Sequence, residues 1–136
     1  MNTTCSYATQ KHFLWLKDRD RWLSEEALKN KVSSNEVLLA QDGKIIVGWL
    51  RFGYFWDIIP IMNMLFIDEA YRGKGTGKAL VQFWEDEMKK KGHTLVLTSS
   101  PSNEDAQHFY RKIGFTDAGS FTLPNEPVEQ IFTKQL

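Results

Sequence analysis

The sequence predicts an α+β fold, with a mixed central sheet of about six to seven strands, mostly antiparallel, flanked by about four helices. Three observations carry that expectation. Apolar positions switch along the chain between the alternation of strands and the wider spacing of amphipathic helices. Asp42-Gly43 lies between two apolar runs, which is a strong hairpin signal. Farther on, Gly92, Pro101 and Gly114 cut the C-terminal half into helix, strand, helix and a closing pair of strands.

Taken in order, Thr3 to Ala8 reads as a short first strand. Lys11 to Trp22 carries Phe13, Leu14, Leu16 and Trp22 in a helical pattern that Asp18-Arg19-Asp20 interrupts. Ser24 is placed to cap a second short helix through about Lys31, with Glu25 and Glu26 favourable at its positive N-terminal end. Val37 to Gln41 and Lys44 to Phe55 are the hairpin arms, and a further strand, Ile61 to Ile67, follows Pro60. The third helix is expected from about Gly75 to Lys91, with Leu80, Val81, Trp84 and Met88 on one stripe and Gly92 as its stop. Thr94 to Thr98 is a buried strand, after which Pro101 breaks the chain and Asn103 is expected to cap a fourth helix that Gly114 ends. About Thr116 to Leu123 and Val128 to Lys134 form the last strands, around the turn Pro124-Asn125-Glu126-Pro127.

Composition narrows the class of molecule. The 136 residues leave room for one core, and with no repeat, low-complexity run or linker, residues 1–136 are expected to be a single domain. Apolar residues make up 42% and charged residues 25%, ordinary values for a globular protein. Lys plus Arg equals Asp plus Glu at 17 each, so no global field draws in nucleic acid or an anionic membrane. No apolar run approaches the ~20 residues of a membrane span, and no basic-then-apolar leader begins the chain, so the cytoplasm is the expected location. Cys5, the one cysteine, has no partner for an internal disulfide or a cysteine metal site, and no metal is expected.

The segment Tyr71-Arg72-Gly73-Lys74-Gly75-Thr76-Gly77-Lys78-Ala79-Leu80 carries the chemistry. Closely spaced glycines lead from an apolar strand into an amphipathic helix, so the backbone can approach a ligand and the first helical N–H groups point at it. With Arg72, Lys74 and Lys78 nearby, the ligand should be anionic and phosphorylated. A Walker A loop is excluded because Arg72 stands where its first glycine belongs and Ala79 where its hydroxyl belongs. A dinucleotide fingerprint fails too, since Gly73-x-Gly75 runs on to Lys78 and Gly75-x-Gly77 to Leu80.

What remains, Arg-x-x-Gly-x-Gly over Arg72 to Gly77, resembles the pyrophosphate loop of the GNAT superfamily of N-acetyltransferases, whose ligand is acetyl-coenzyme A. A second stretch, Asn103-Glu104-Asp105-Ala106-Gln107-His108-Phe109-Tyr110-Arg111-Lys112-Ile113-Gly114-Phe115, is similar to that superfamily's Asn-led helix. The resemblance extends from about Val37 to the C-terminus. It implies a GNAT-like sheet whose two central strands splay around the pantetheine arm, leaving backbone groups that need a partner. It also implies that Arg72, Gly73, Lys74, Gly75, Thr76, Gly77 and Lys78 hold the pyrophosphate, and that the backbone of Leu65, Phe66 and Ile67 meets the pantetheine and the thioester oxyanion. By the same resemblance Asn103 is a ligand contact besides its capping role, and Tyr110 protonates the leaving thiolate as a phenol with pKa near 10.

The general base is where this chain departs from the resemblance. Many relatives place a glutamate in a central strand, but those strands offer Asn63 and Thr98, and Asp68 and Glu69 read as turn residues, so no base is assigned. Successive Phe55 and Trp56 are expected on opposite strand faces, which leaves Trp56 with Asp57 as the candidate acceptor site. The leading function is acetyl transfer from acetyl-CoA to a primary amine, of a small molecule or a peptide, by direct attack in a ternary complex. Two others stay open: a non-catalytic acyl-CoA-binding sensor, and an acyltransferase using another acyl donor or a hydroxyl acceptor. A homodimer is also compatible with the sequence.

Overall fold

In the computed structural model, which describes residues 3–136, the hairpin and helix signals fall where the local chemistry puts them. The order is β1 (Thr3–Tyr7), a 3-10 turn (Gln10–His12), α1 (Phe13–Arg19), α2 (Glu25–Ser33), β2 (Val37–Asp42), β3 (Ile45–Phe55) and β4 (Ile59–Ile67). A second 3-10 turn (Glu69–Tyr71) precedes α3 (Thr76–Lys90), then β5 (Leu95–Pro101), α4 (Ala106–Lys112), β6 (Thr116–Phe121) and β7 (Glu129–Gln135). The seven strands are ordered β1-β2-β3-β4-β5-β7-β6. Among the pairings, β4 with β5 is parallel, and β1–β2, β2–β3, β5–β7 and β6–β7 are antiparallel. This is the expected α+β sheet with four α-helices. No helix among the described residues is long and apolar enough to cross a membrane.

Several boundaries differ from the sequence expectation for identifiable reasons. Ser24 does cap α2, its side chain accepting from the Ala27 N–H at 3.1 Å. Asn103 caps nothing: α4 starts later, with Asp105 at the cap position, while Gln107 reaches back to the carbonyls of Ser102 and Glu104 at 2.9 Å each. Pro60 lies inside β4, near its start, where a missing N–H is tolerated. Phe55 and Trp56 do not alternate across a strand, because Trp56 and Asp57 occupy a tight turn with φ of 56° and 65°, closed by Ile58 N–H donating to the Phe55 carbonyl at 3.2 Å. Their rings therefore pack together, 4.8 Å between centroids.

The chain divides into two compact units, one comprising residues through Phe52 with Met64–Trp84, the other Gly53–Asn63 with Glu85–Leu136. In the first, Phe13 and Leu16 of α1 and Leu28 and Val32 of α2 pack on Val37, Leu39 and Trp49, all buried. Beneath α1 lies a buried ion pair. Asp20, which ends α1 by donating its N–H to the Leu16 carbonyl, accepts from Arg51 Nε at 2.7 Å, Arg51 Nη2 at 3.3 Å and Trp49 Nε1 at 3.3 Å. The charged run Asp18-Arg19-Asp20 thus ends α1 by turning a carboxylate inward.

Gly48 of β3 sits close against the end of β4. A Cβ there would lie 2.7 Å from the Phe66 carbonyl oxygen and 2.6 Å from Ile67 Cδ1, so its small size is what lets β3 and β4 approach. Gly48→Ala should therefore cost about 1–3 kcal/mol by overpacking, read as a lower midpoint in urea. An unchanged midpoint would show that β4 shifts freely at this point.

In the second unit β7 pairs with β5 along its whole length, from Leu95↔Gln135 to Pro101↔Glu129, and with β6 on its other side. Lys134 of β7 binds Glu85 of α3 at 3.0 Å and donates to the Ile113 carbonyl at 2.8 Å, tying the end of α4 to its surroundings. Arg111 makes the matching tie on the exposed side, to Asp117 of β6 at 2.8 Å.

Candidate active site

The turn from β4 into α3 is a candidate site built within the first unit. Asp68 N–H donates to the Val47 carbonyl at 2.8 Å, the Tyr71 hydroxyl donates to Asp42 at 2.9 Å, and Arg72 Nε donates to the Ile67 carbonyl at 2.8 Å. These contacts anchor the loop to the β2–β3 hairpin and to the end of β4. They also occupy one face of Arg72, whose guanidinium stacks 5.4 Å from the Phe66 ring centre, so this arginine braces the turn as well as charging it. Lys74 lies over Tyr71, and Lys78 is exposed.

The glycines owe their place here to conformation and not to lack of room. Gly73 and Gly75 have φ of 72° and 85°, a left-handed backbone that other residues rarely adopt, and a Cβ on either would meet nothing within 4 Å. That open space is where a ligand would approach. The first intrahelical bond runs from Ala79 N–H to the Gly75 carbonyl at 2.9 Å. The N–H groups of Thr76, Gly77 and Lys78 consequently have no acceptor within α3. An exposed, basic loop opening on orphan donors of a 15-residue helix suits an anion. Leu65, Phe66 and Ile67 form the end of β4 that leads into it.

The second unit holds a separate group of candidate residues. There the β4–β5 ladder consists of Ile61↔Leu97 and Met62↔Thr98. Tyr110 of α4 is 7% exposed, among the rings of Phe109, Phe115 and Phe132 at 5.7 to 5.9 Å between centroids. Burial pushes its phenol above the ordinary value, a hydrogen bond with the Thr98 hydroxyl works in the opposite direction, and Glu104 and Glu129 add to the upward shift. The phenol is therefore neutral at physiological pH and can give a proton.

Of the other residues singled out from the sequence, Asn103 is exposed in the turn before α4, and Trp56 and Asp57 are exposed at the turn that begins β4, whereas the glycine loop follows the end of that strand. The buried carboxylates among the described residues, Asp20 and Glu85, are each committed to a cation. Among those residues no group of three or more His, Cys, Asp or Glu side chains could hold a metal. Thr98, which the sequence offers only as a strand residue unable to act as a base, is buried and donates its hydroxyl to the Met62 carbonyl at 3.1 Å.

Residues 33–117 match the family described as the acetyltransferase (GNAT) domain, and the chain belongs to this family. Mycothiol acetyltransferase of Corynebacterium efficiens is 28% identical over 116 residues, covering 82% of this chain and 39% of that protein. The chain thus spans about two fifths of the length of the mycothiol acetyltransferases it matches. Among solved structures, Ard1 of Thermoplasma volcanium superposes with a TM-score of 0.85 at 12% identity, covering 100% of this chain and 99% of that one. The PaiA N-acetyltransferase of Thermoplasma acidophilum, in complex with coenzyme A, gives 0.76 at 20% identity with 100% of both chains covered.

Proposed function

We propose that the chain is an acetyl-CoA-dependent N-acetyltransferase that moves an acetyl group to a primary amine of a small molecule or peptide by direct attack in a ternary complex. The observation that carries this reading is the exposed left-handed turn at Gly73 and Gly75, which opens on the orphan N–H groups of Thr76, Gly77 and Lys78. In this reading Arg72 to Lys78 hold the pyrophosphate of coenzyme A. The end of β4, Leu65 to Ile67, offers backbone groups to the pantetheine arm, and Asn103, not needed as a helix cap, is a further contact. Bound acetyl-CoA supplies the activated acyl group as a thioester. Tyr110 holds the proton that the departing sulfur takes as the new C–N bond forms and the C–S bond breaks.

Coenzyme A should raise the thermal midpoint of the protein, because a ligand present at ~100 times its dissociation constant adds about 2.7 kcal/mol to the native state. Gly75→Val should abolish that shift: a branched side chain at φ 85° strains the turn and projects into the open space above it. Equal shifts in the variant and the parent would remove the loop from the coenzyme site.

The acceptor is sought by incubating acetyl-CoA with a panel of primary amines and peptides and detecting released thiol. Asp57, beside Trp56, is the candidate group for a cationic acceptor, and Asp57→Asn should raise the Michaelis constant for such amines roughly two- to fivefold, the range expected of an exposed charge. Unchanged constants for every active amine would move the acceptor pocket elsewhere. One observation favours a second reading, a non-catalytic acyl-CoA sensor: both buried carboxylates are tied up in ion pairs, leaving no evident general base. Thiol release with any amine decides against it.

A further inference from the structure

Lys74 stands between Gly73 and Gly75, the two glycines whose missing side chains open on free space. It is exposed, and among the described residues no carboxylate pairs with it. Its ammonium rests instead over the Tyr71 ring, 5.9 Å from the ring centre. The ring beneath it is itself held. From the 3-10 turn before the loop, the Tyr71 hydroxyl donates at 2.9 Å to Asp42, 29 residues back at the end of β2. A phenol that donates to a carboxylate stays neutral, and this bond holds the Tyr71 phenol above its ordinary pKa. It also leaves the phenol oxygen richer in electrons, which strengthens the attraction of the ring face for a cation.

The bond to Asp42 is not what seats the turn. On either side of Tyr71, Asp68 N–H donates to the Val47 carbonyl and Arg72 Nε to the Ile67 carbonyl, both at 2.8 Å, and these already tie the turn to β3 and β4. What the phenol contact adds is the orientation of a half-buried ring. An exposed lysine moves among many rotamers, and a ligand that captures it must stop that motion. Over a fixed ring the motion is restrained before the ligand arrives. Because an ammonium has three donors, Lys74 can keep its place on the ring and still turn an N–H to an anion. We propose that Asp42 and Tyr71 are positioning residues for the pyrophosphate of coenzyme A: the carboxylate fixes the ring, the ring holds Lys74, and Lys74 meets the phosphate. This inference rests on the glycine loop being the coenzyme site, and its test separates the two.

Tyr71→Leu removes the ring, Asp42→Ala leaves the ring untethered, and Asp42→Asn keeps an acceptor for the phenol. The first readout is the dissociation constant of coenzyme A by titration calorimetry. Lys74→Ala, Tyr71→Leu and Asp42→Ala should each raise it roughly two- to fivefold, the range of one exposed cation contact, and Asp42→Asn should leave it near the parent value. With Lys74→Ala already in place, neither Tyr71→Leu nor Asp42→Ala should raise it further, since both act through this lysine. The second readout is turnover with the most active amine of the panel. There the loss should appear in the Michaelis constant for acetyl-CoA, with the turnover number unchanged. Unchanged affinity in Tyr71→Leu overturns the proposal, as does an equal loss with and without Lys74→Ala, or a matching fall in the turnover number. Gly75→Val tells which reading has failed. If it abolishes coenzyme A binding while Tyr71→Leu has no effect, only the role of Asp42 and Tyr71 falls. If Gly75→Val binds coenzyme A as the parent does, the loop is not the coenzyme site and both readings fall.

Discussion

Tyr110→Phe is expected to lower the turnover number for acetyl transfer roughly a hundredfold while the affinity for coenzyme A holds, since a positioned acid is worth about 10²–10⁴-fold. The ring stays in its box of Phe109, Phe115 and Phe132, so the change removes the proton and not the packing. Full turnover under conditions where chemistry limits the rate would make Tyr110 a packing residue. The same variant carries a second expectation. Burial raises the folded phenol above its ordinary value of about 10, so its contribution to stability is complete below that pH and is lost as pH climbs through the raised folded value. The parent should therefore lose stability more steeply than the phenylalanine variant above about pH 10. Urea unfolding on either side of that pH compares them directly.

Asp20→Ala should cost about 3–5 kcal/mol, because it strands the Arg51 guanidinium, 7% exposed, without an anion and leaves Trp49 Nε1 without its acceptor. Against a typical total of about 5–15 kcal/mol that is a large share, and the variant should unfold at a much lower urea concentration. Replacing both partners by apolar residues of similar volume, Asp20→Leu with Arg51→Met, should recover most of the loss, since the penalty lies in the uncompensated charge. A loss below about 1 kcal/mol in Asp20→Ala would mean that water reaches the guanidinium as readily as the carboxylate does.

What the chain determines by itself is local. The β2–β3 hairpin forms where the sequence marks it, but its turn is Gly43-Lys44, with Gly43 at φ 61° and Asp42 still paired with Ile45, one residue on from Asp42-Gly43; two adjacent residues suffice to set it. Ser24 and the Ala27 N–H it caps are three residues apart, and Leu80, Val81, Trp84 and Met88 of α3 are all buried, as one helical stripe requires. The glycine loop was legible for the same reason, since its bends and its helix start lie within a few residues of one another. The Asn103 cap failed at this scale too, because α4 opens two residues later, with Asp105 at the cap position. Tertiary structure alone decided what joins distant segments. Asp20 reads as a surface charge until Arg51, 31 residues on, takes it inside, and Thr98 reads as a plain strand residue until the Met62 carbonyl, 36 residues back, accepts from its hydroxyl. Burial and hydrogen bonding between such groups depend on the whole sheet closing, and that information is carried by no short stretch of sequence.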